Sequence, residues 1–430
     1  MSKILIKNGH VIDPKNKIDG LLDVLIDKGK IEKVAKNIKI SKVKVIDAKG
    51  KCVVPGLIDM HCHLRVPGRE DEETIYSGTC SAAAGGFTSI CTMPNTDPVI
   101  DTQTGVKFII SRAQTDGVVN IFPIAAITKG TLGEEITEFG DLIWYGAIAF
   151  SDDGKPVMNA EIMKRALQYT SMFDVPVLSH CEDLNLSRDG VMHEGYMSTL
   201  LGLPGMPSVA ESAMVARDIE LAESSGGRLH ICHTSAKRSV ELIRKAKKRG
   251  VNVTAEVTPH HLTLTDECVT SFDTYFKVNP PLRTKEDIKE LINGIKDGTI
   301  DVIATDHAPH TDIEKDMVFL DAPFGMIGMQ TAVPVIMTHL VHKNIISINK
   351  MVEMMSTNPA KILRLNKGSL GIGADADVTI IDPEKECLIK KEDLLSRSSN
   401  CPFLNMKCKG GIDTTIVGGK IVYQNNKIVK

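Results

Sequence analysis

Six residues of this chain belong to types that hold metal ions: His61 and His63, one residue apart, then Asp153, His180, His233 and Asp306. Histidines at i and i+2 of an extended strand share a face, so both imidazoles of His61-Cys62-His63 can reach one ion. Four neutral imidazoles and two carboxylates suit zinc or a similar borderline divalent cation. With Asp153 shared, the donors suffice for two ions rather than one. Two metals bridged by a hydroxide supply a nucleophile at neutral pH and polarise a carbonyl. Asp306 can then take the hydroxide proton and pass it to a leaving nitrogen. That chemistry is the reversible opening of a cyclic amide. Taken singly, His180 or His233 reads as a core histidine and Asp153 or Asp306 as a helix cap. Their common placement at strand ends is what argues for a metal centre.

That placement depends on the elements. Eight β-type runs stand in order: 53–61, 87–93, 118–127, 144–151, 175–180, 228–233, 251–257 and 301–306. Helical stretches separate them, such as EETIYSGTCSAAAGG with its Gly85-Gly86 stop, NAEIMKRALQYTSM and AKRSVELIRKAKKRG. Strands alternating with helices predict a parallel sheet, and eight such units predict a (β/α)8 TIM barrel. In that fold the C-terminal strand ends converge on one face, which gathers His61, Asp153, His180, His233 and Asp306. Residues 1–54 and 366–430 are short alternating strands punctuated by turns. They predict a small composite β-sandwich built from both termini, around a catalytic domain at 55–365.

Composition excludes several classes. Of 430 residues 42% are hydrophobic, too many for a disordered chain. Lys+Arg 51 against Asp+Glu 54 leaves a net charge of −3, with no basic field for nucleic acid or anionic lipid. No uncharged apolar run approaches the ~18 residues that span a membrane. The start MSKILIKNGHVIDPKNK has no signal-peptide core, and the ten cysteines form no CxxC pair. A cytoplasmic protein with reduced thiols is expected. Cys62, Cys181 and Cys232 flank candidate ligands and are expected to point into the barrel wall.

The segments PGLIDMHCHLR, MPNTDPV, FSDDG, LSHCED, ATDHAPH, APFGMIGMQT and TNPAKILRLNKGSLGIGADADVTIID together resemble the class I dihydroorotases of the amidohydrolase superfamily. The resemblance covers nearly the whole chain. It implies zinc-dependent interconversion of N-carbamoyl-L-aspartate and L-dihydroorotate in pyrimidine biosynthesis. It implies His61, His63 and Asp306 on one zinc, His180 and His233 on the other, and Asp153 between them, with one or two ions per subunit and two favoured. It puts Arg65 and Asn95 on the substrate carboxylate, with Asn279, His310 and the Phe324-Gly325 backbone lining the remaining pocket. A homodimer is implied, with room for association with aspartate transcarbamoylase. The residue chemistry agrees at Arg65, whose guanidinium fork matches a carboxylate two residues beyond His63. The stretch 311–328, charged and then apolar with glycines, reads as a flap with backbone donors at its tip.

The sequence departs from the family pattern at Val66, where an acidic residue is common, and at Gln330, where glutamate is common. Asp153 stands where many relatives in the superfamily bridge their metals with a carboxylated lysine, and Lys155 lies beyond the strand end. The adjacent pair His260-His261 cannot both enter one site as strand residues. Two other readings remain. One is another cyclic amidase, a hydantoinase, dihydropyrimidinase or allantoinase, whose substrates lack the ring carboxylate. The other is a catalytically silent assembly subunit, which need hold no metal.

Overall fold

The computed structural model describes residues 3–429. Strands from both ends of the chain join one nine-stranded sheet. Its centre is the short strand Cys52–Pro55, which pairs in parallel with Ile4–Asp13 and antiparallel with Val378–Leu388. Alternation drives the pairing. Ile4, Ile6, Val11, Val24, Ile26, Val53, Val378, Ile380 and Ile416 pack one apolar core drawn from both termini.

Gly56 separates this β-sandwich from the barrel. The run 53–61, which reads as one strand, is two: Cys52–Pro55 in the terminal sheet and Leu57–Cys62 in the barrel. A Cβ at Gly56 would lie 2.0 Å from the Thr88 hydroxyl, so the chain passes the second barrel strand only without a side chain.

The barrel closes through seven named strands and one bridge. Leu57–Cys62, Phe87–Thr92 and Asn120–Pro123 pair in parallel, as do Val177–Ser179, Leu229–Ile231, Val253–Val257 and Val302–Ile303. Phe150 bridges Ala125 and Val177, and Cys62 bridges His307, so the ends meet. The expected fourth strand at 144–151 is thus reduced to its last residues. Phe139–Trp144 is helical, and Gly146 at φ 111 turns the chain before it can extend. The expected helices form at Ile75–Ala84, Ala160–Ser171 and Lys237–Arg249. Val240, Ile243 and Ala246 bury one stripe of the last, leaving its basic residues outward. Inside the barrel Met60, Cys91, Met93, Ile124, Ala149, Leu178, Cys232, Val302 and Ala304 form a packed floor beneath the strand ends. Among the described residues no helix is long and apolar enough to cross a membrane.

Candidate functional site

Regular strands would not aim these side chains as the structure does. Pairing of the first two barrel strands shifts register between Asp59 and Cys62, a bulge that turns His61 inward beside the floor residue Met60. His233 and Asp306 take left-handed backbone angles, φ 28 and φ 48, just past their strands, and Arg65 does the same at φ 59. Such conformations are costly for residues with a Cβ and cluster at functional sites. Asp59 fastens the seam: its carboxylate accepts from the Thr305 amide (3.0 Å) and hydroxyl (2.5 Å) and from the His61 amide (3.3 Å). The His63 amide donates to the His307 carbonyl at 2.8 Å. First and eighth strands are thereby locked together, which sets the histidine pair beside Asp306.

Six side chains from five strand ends meet in two groups that share Asp153. On one side His61 Nε2 lies 3.4 Å from Asp153 Oδ2 and 3.4 Å from Asp306 Oδ1, and His63 Nε2 lies 3.5 and 3.3 Å from the same two oxygens. On the other, Asp153 Oδ1 is 3.5 Å from His180 Nδ1 and 3.4 Å from His233 Nε2. Each carboxylate oxygen of Asp153 therefore faces a different pair of imidazoles. A tetrahedron of zinc bonds ~2.0–2.1 Å long has edges of about 3.3–3.4 Å, matching these donor separations. His61 Nε2 and Asp153 Oδ1 are buried without a hydrogen-bond partner, a costly state that a cation would relieve. The residues present fit the divalent ions that the sequence implies.

Three of the four imidazoles have the outer nitrogen held, two by glutamates that the sequence reading does not single out and one by Asn95. His61 Nδ1 donates to Glu256 Oε1 at 2.6 Å, and His230 Nε2 lies 3.1 Å from Glu256 Oε2. His180 Nε2 donates to Glu182 at 3.0 Å, and His63 Nδ1 to Asn95 Oδ1 at 2.8 Å. These contacts fix the tautomers of His61 and His63 with a lone pair turned inward on each, while His180 Nδ1 and His233 Nε2 share a hydrogen bond at 2.9 Å and His233 Nδ1 has no partner. The signal for Glu256 was faint but present: a charged residue inside the apolar run VNVTAEV. Burial pushes the Asp306 carboxyl up, but the charge of His61 and the hydrogen bond of His63 outweigh it and hold it at about 2. Burial disfavours charge on His180, yet Asp153 and Glu182 raise it to about 10. The pocket carries surplus negative charge, which draws protons in the protein alone and suits cations that displace them.

Above this centre lies a second group. Arg65 Nε reaches Glu72 (2.8 Å) and the Pro309 carbonyl (3.1 Å), and its Nη2 lies 3.2 Å from His310 Nε2. Asn95, with its oxygen on His63, keeps its amide nitrogen near Gly154 at the bridge loop. Asn279 donates to Glu182 at 2.8 Å. His310 Nε2 is 2.8 Å from the Phe324 carbonyl.

The flap stretch opens with the helix Asp312–Lys315 and is then pinned by two buried lysines. Lys277 Nζ donates to the Phe319 and Leu320 carbonyls, and Lys315 Nζ to those of Pro323 and Gly325. One expectation changes here: the Gly325 N–H donates to the Lys277 carbonyl at 2.9 Å, so in this conformation that donor is engaged by the protein itself.

Cys62 and Cys181 lie in the layer between strands and helices, as expected, but Cys232 faces the barrel interior within reach of His61 and Asp153. It shares the inward face with His230, two residues before it, both belonging to the strand side that meets Glu256. Val66 is buried among apolar neighbours, and Gln330 bridges Asp393 and Leu395 away from the centre. Lys155 is exposed. Of the adjacent histidines, His261 is spent on Thr258 and Pro280, while His260 is buried with Nε2 unpartnered.

Comparison with known proteins agrees with this geometry. The Dihydro-orotase-like family matches residues 50–239 and the Amidohydrolase family residues 295–423. The chain is 52% identical over 426 residues to a dihydroorotase of Acetivibrio thermocellus, covering 99% of this chain and 100% of that one. It is 54% identical over 427 residues to a dihydroorotase of Pelotomaculum thermopropionicum, with the same coverage. Among solved structures an L-hydantoinase (dihydropyrimidinase) from Arthrobacter aurescens superposes with a TM-score of 0.91 at 24% identity, over 100% of this chain and 98% of that one. That last likeness speaks for the barrel and sandwich fold.

Proposed function

From a chain that belongs to the dihydroorotase family of amidohydrolases, and is therefore a cyclic amide hydrolase, we propose a zinc site that interconverts N-carbamoyl-L-aspartate and L-dihydroorotate in pyrimidine biosynthesis. The observation that carries it is the sharing of Asp153 between His61-His63-Asp306 and His180-His233, with orphaned buried atoms on both sides. In this reading His61, His63 and Asp306 hold one ion, His180 and His233 the other, and Asp153 both. Zinc in those donors supplies Lewis acidity, acidifying water and polarising the ring carbonyl.

The chain's own residues do the rest. Arg65, with Asn95 beside it, takes the substrate carboxylate on its outward guanidinium edge, which sets the ring carbon over the centre. Asn279, His310 and the Phe324-Gly325 turn bound the pocket. Asp306 Oδ1 faces the histidines. Its other oxygen takes the proton of the attacking water and returns it to the ring nitrogen as the amide opens. In ring closure the same oxygen removes the proton from the carbamoyl nitrogen and gives it to the departing water.

The catalytic unit is taken as residues 55–365 between the terminal pieces 1–54 and 366–430. A homodimer, able to associate with aspartate transcarbamoylase, completes the reading, and analytical sedimentation of each protein alone and mixed tests it. The activity is tested by loss of L-dihydroorotate absorbance with zinc-loaded protein, beside dihydrouracil, hydantoin and allantoin. Turnover of dihydroorotate alone, abolished in Asp306→Asn, is expected. Turnover of an uncharged ring would remove the roles of Arg65 and Asn95.

A further inference from the structure

Glu72 opens the stretch EETIYSGTCSAAAGG, but the helix itself begins at Ile75, and Glu72 lies in the loop between the first barrel strand and that helix. The structure buries it, with 2% of its surface exposed. Burying a carboxylate is expensive unless each oxygen is satisfied. Here Oε2 forms an ion pair with Arg65 Nε at 2.8 Å, while Oε1 receives His310 Nδ1–H at 3.1 Å and pairs with Arg69 Nη2 at 3.1 Å. One carboxylate thus joins the loop after the first strand to the loop after the eighth, through the two residues assigned to the substrate carboxylate and its pocket.

The consequences are geometric. With its single Nε–H on the Pro309 carbonyl, Glu72 Oε2 2.8 Å away and Nη2 against His310, the Arg65 guanidinium is held in place and presents Nη1 to a ligand. His310 has Glu72 Oε1 beside Nδ1 and both the Phe324 carbonyl and Arg65 Nη2 beside Nε2. The contact of Nδ1 with Glu72 orients the ring and sets Nε2 between the Phe324 carbonyl and Arg65. Val66, next to Arg65, is apolar and buried and supplies none of this.

We propose that Glu72 is the positioning residue of the carboxylate pocket, holding Arg65 and His310 in register so that the site selects a ring bearing a carboxylate. This rests on the reading that Arg65 receives that carboxylate. In the zinc-loaded enzyme, Glu72→Gln loses the ion pair with Arg65 and the charge behind the His310 hydrogen bond, and KM for dihydroorotate should rise about tenfold or more. Since Glu72 lies outside the metal centre, kcat should stay within about threefold and zinc content should not change.

Arg65→Ala is measured alongside. A raised KM in Arg65→Ala with an unchanged KM in Glu72→Gln overturns the proposal and spares the reading beneath it. An unchanged KM in Arg65→Ala overturns both. A fall of kcat in step with lost zinc in Glu72→Gln also overturns it, since the residue would then act through the fold. Should Glu72→Gln fail to fold, Glu72→Asp keeps the charge but withdraws it by one methylene, and the same criteria apply.

Discussion

Glu256 offers a sharp test of how the proposed zinc centre is held. It is fully buried at the barrel floor, takes His61 Nδ1–H at 2.6 Å on one oxygen and faces His230 Nε2 at 3.1 Å with the other. Glu256→Gln preserves shape. The glutamine oxygen still accepts from His61, and its amide can donate to His230 once that ring moves its proton to Nδ1, beside the Thr254 hydroxyl. What is lost is the charge behind the His61 bond. Hydrogen bonds to charged groups are worth ~1.5–3 kcal/mol against ~0.5–1.5 for neutral ones, so about 1–1.5 kcal/mol disappears. At 1.4 kcal/mol per decade, that weakens the ion on His61 about five- to twelvefold, at the low end of what such outer contacts contribute. Competition of the purified protein against a chromophoric zinc chelator reads both sites. The ion shared by His61 and His63 should weaken about tenfold, while the ion on His180 and His233 should stay within about twofold. Unchanged affinity at the His61 site, or equal loss at both, would refute the assignment of Glu256 to one ion.

Glu182→Gln should reverse that pattern, weakening the ion on His180 and leaving the other, because Glu182 holds His180 Nε2 at 3.0 Å; the same chelator competition reads it. Burial lowers Lys315 from 10.5 to about 7, so the unfolded chain binds more protons between those values and stability rises with pH across them. The unfolding free energy of wild type minus Lys315→Met should therefore grow from about pH 7 to about pH 10 and be flat below, measured by urea titration at each pH. Gly56→Ala should cost ~1–3 kcal/mol of stability by overpacking against Thr88, seen as a lower unfolding midpoint, with kcat of the folded enzyme preserved.

Much of the architecture was legible because periodicity and punctuation carry it. Strand and helix patterns predicted the barrel, and the alternating termini predicted a shared sheet, which the pairing of Cys52–Pro55 with Val378–Leu388 realises. The errors fall where local pattern competes with a backbone constraint. The run 53–61 looked continuous because Gly56 has no side chain to interrupt the apolar pattern, yet that absence is what lets the chain pass from sheet to barrel. The run 144–151 looked extended because Tyr145, Ile148 and Phe150 favour strands. Gly146 and the tail of a helix prevailed, leaving Phe150 alone to bridge its neighbours.

The site was legible in its donors and opaque in its supports, and one physical reason covers both. A metal ligand must be histidine, cysteine or a carboxylate, so residue type announces it and a strand end locates it. A supporting residue is recognised by what it touches, and touching across the barrel leaves no local pattern. Glu72 reads as one more acid at the start of a helical stretch, because its partners Arg65 and His310 lie on different loops that only barrel closure unites. Aim was equally hidden. The bulge at His61 and the left-handed turns at His233 and Asp306 break strand alternation, which is the rule by which inward and outward faces are read. Hence Cys232 was placed in the wall: alternation counted back from His233 sends it outward, whereas the φ of 28 at His233 lets both neighbours face the interior. The positions that mislead alternation here are those whose side chains converge on the candidate metal centre. An alternation count that fails beside a histidine or aspartate at a strand end is therefore itself a marker of the site.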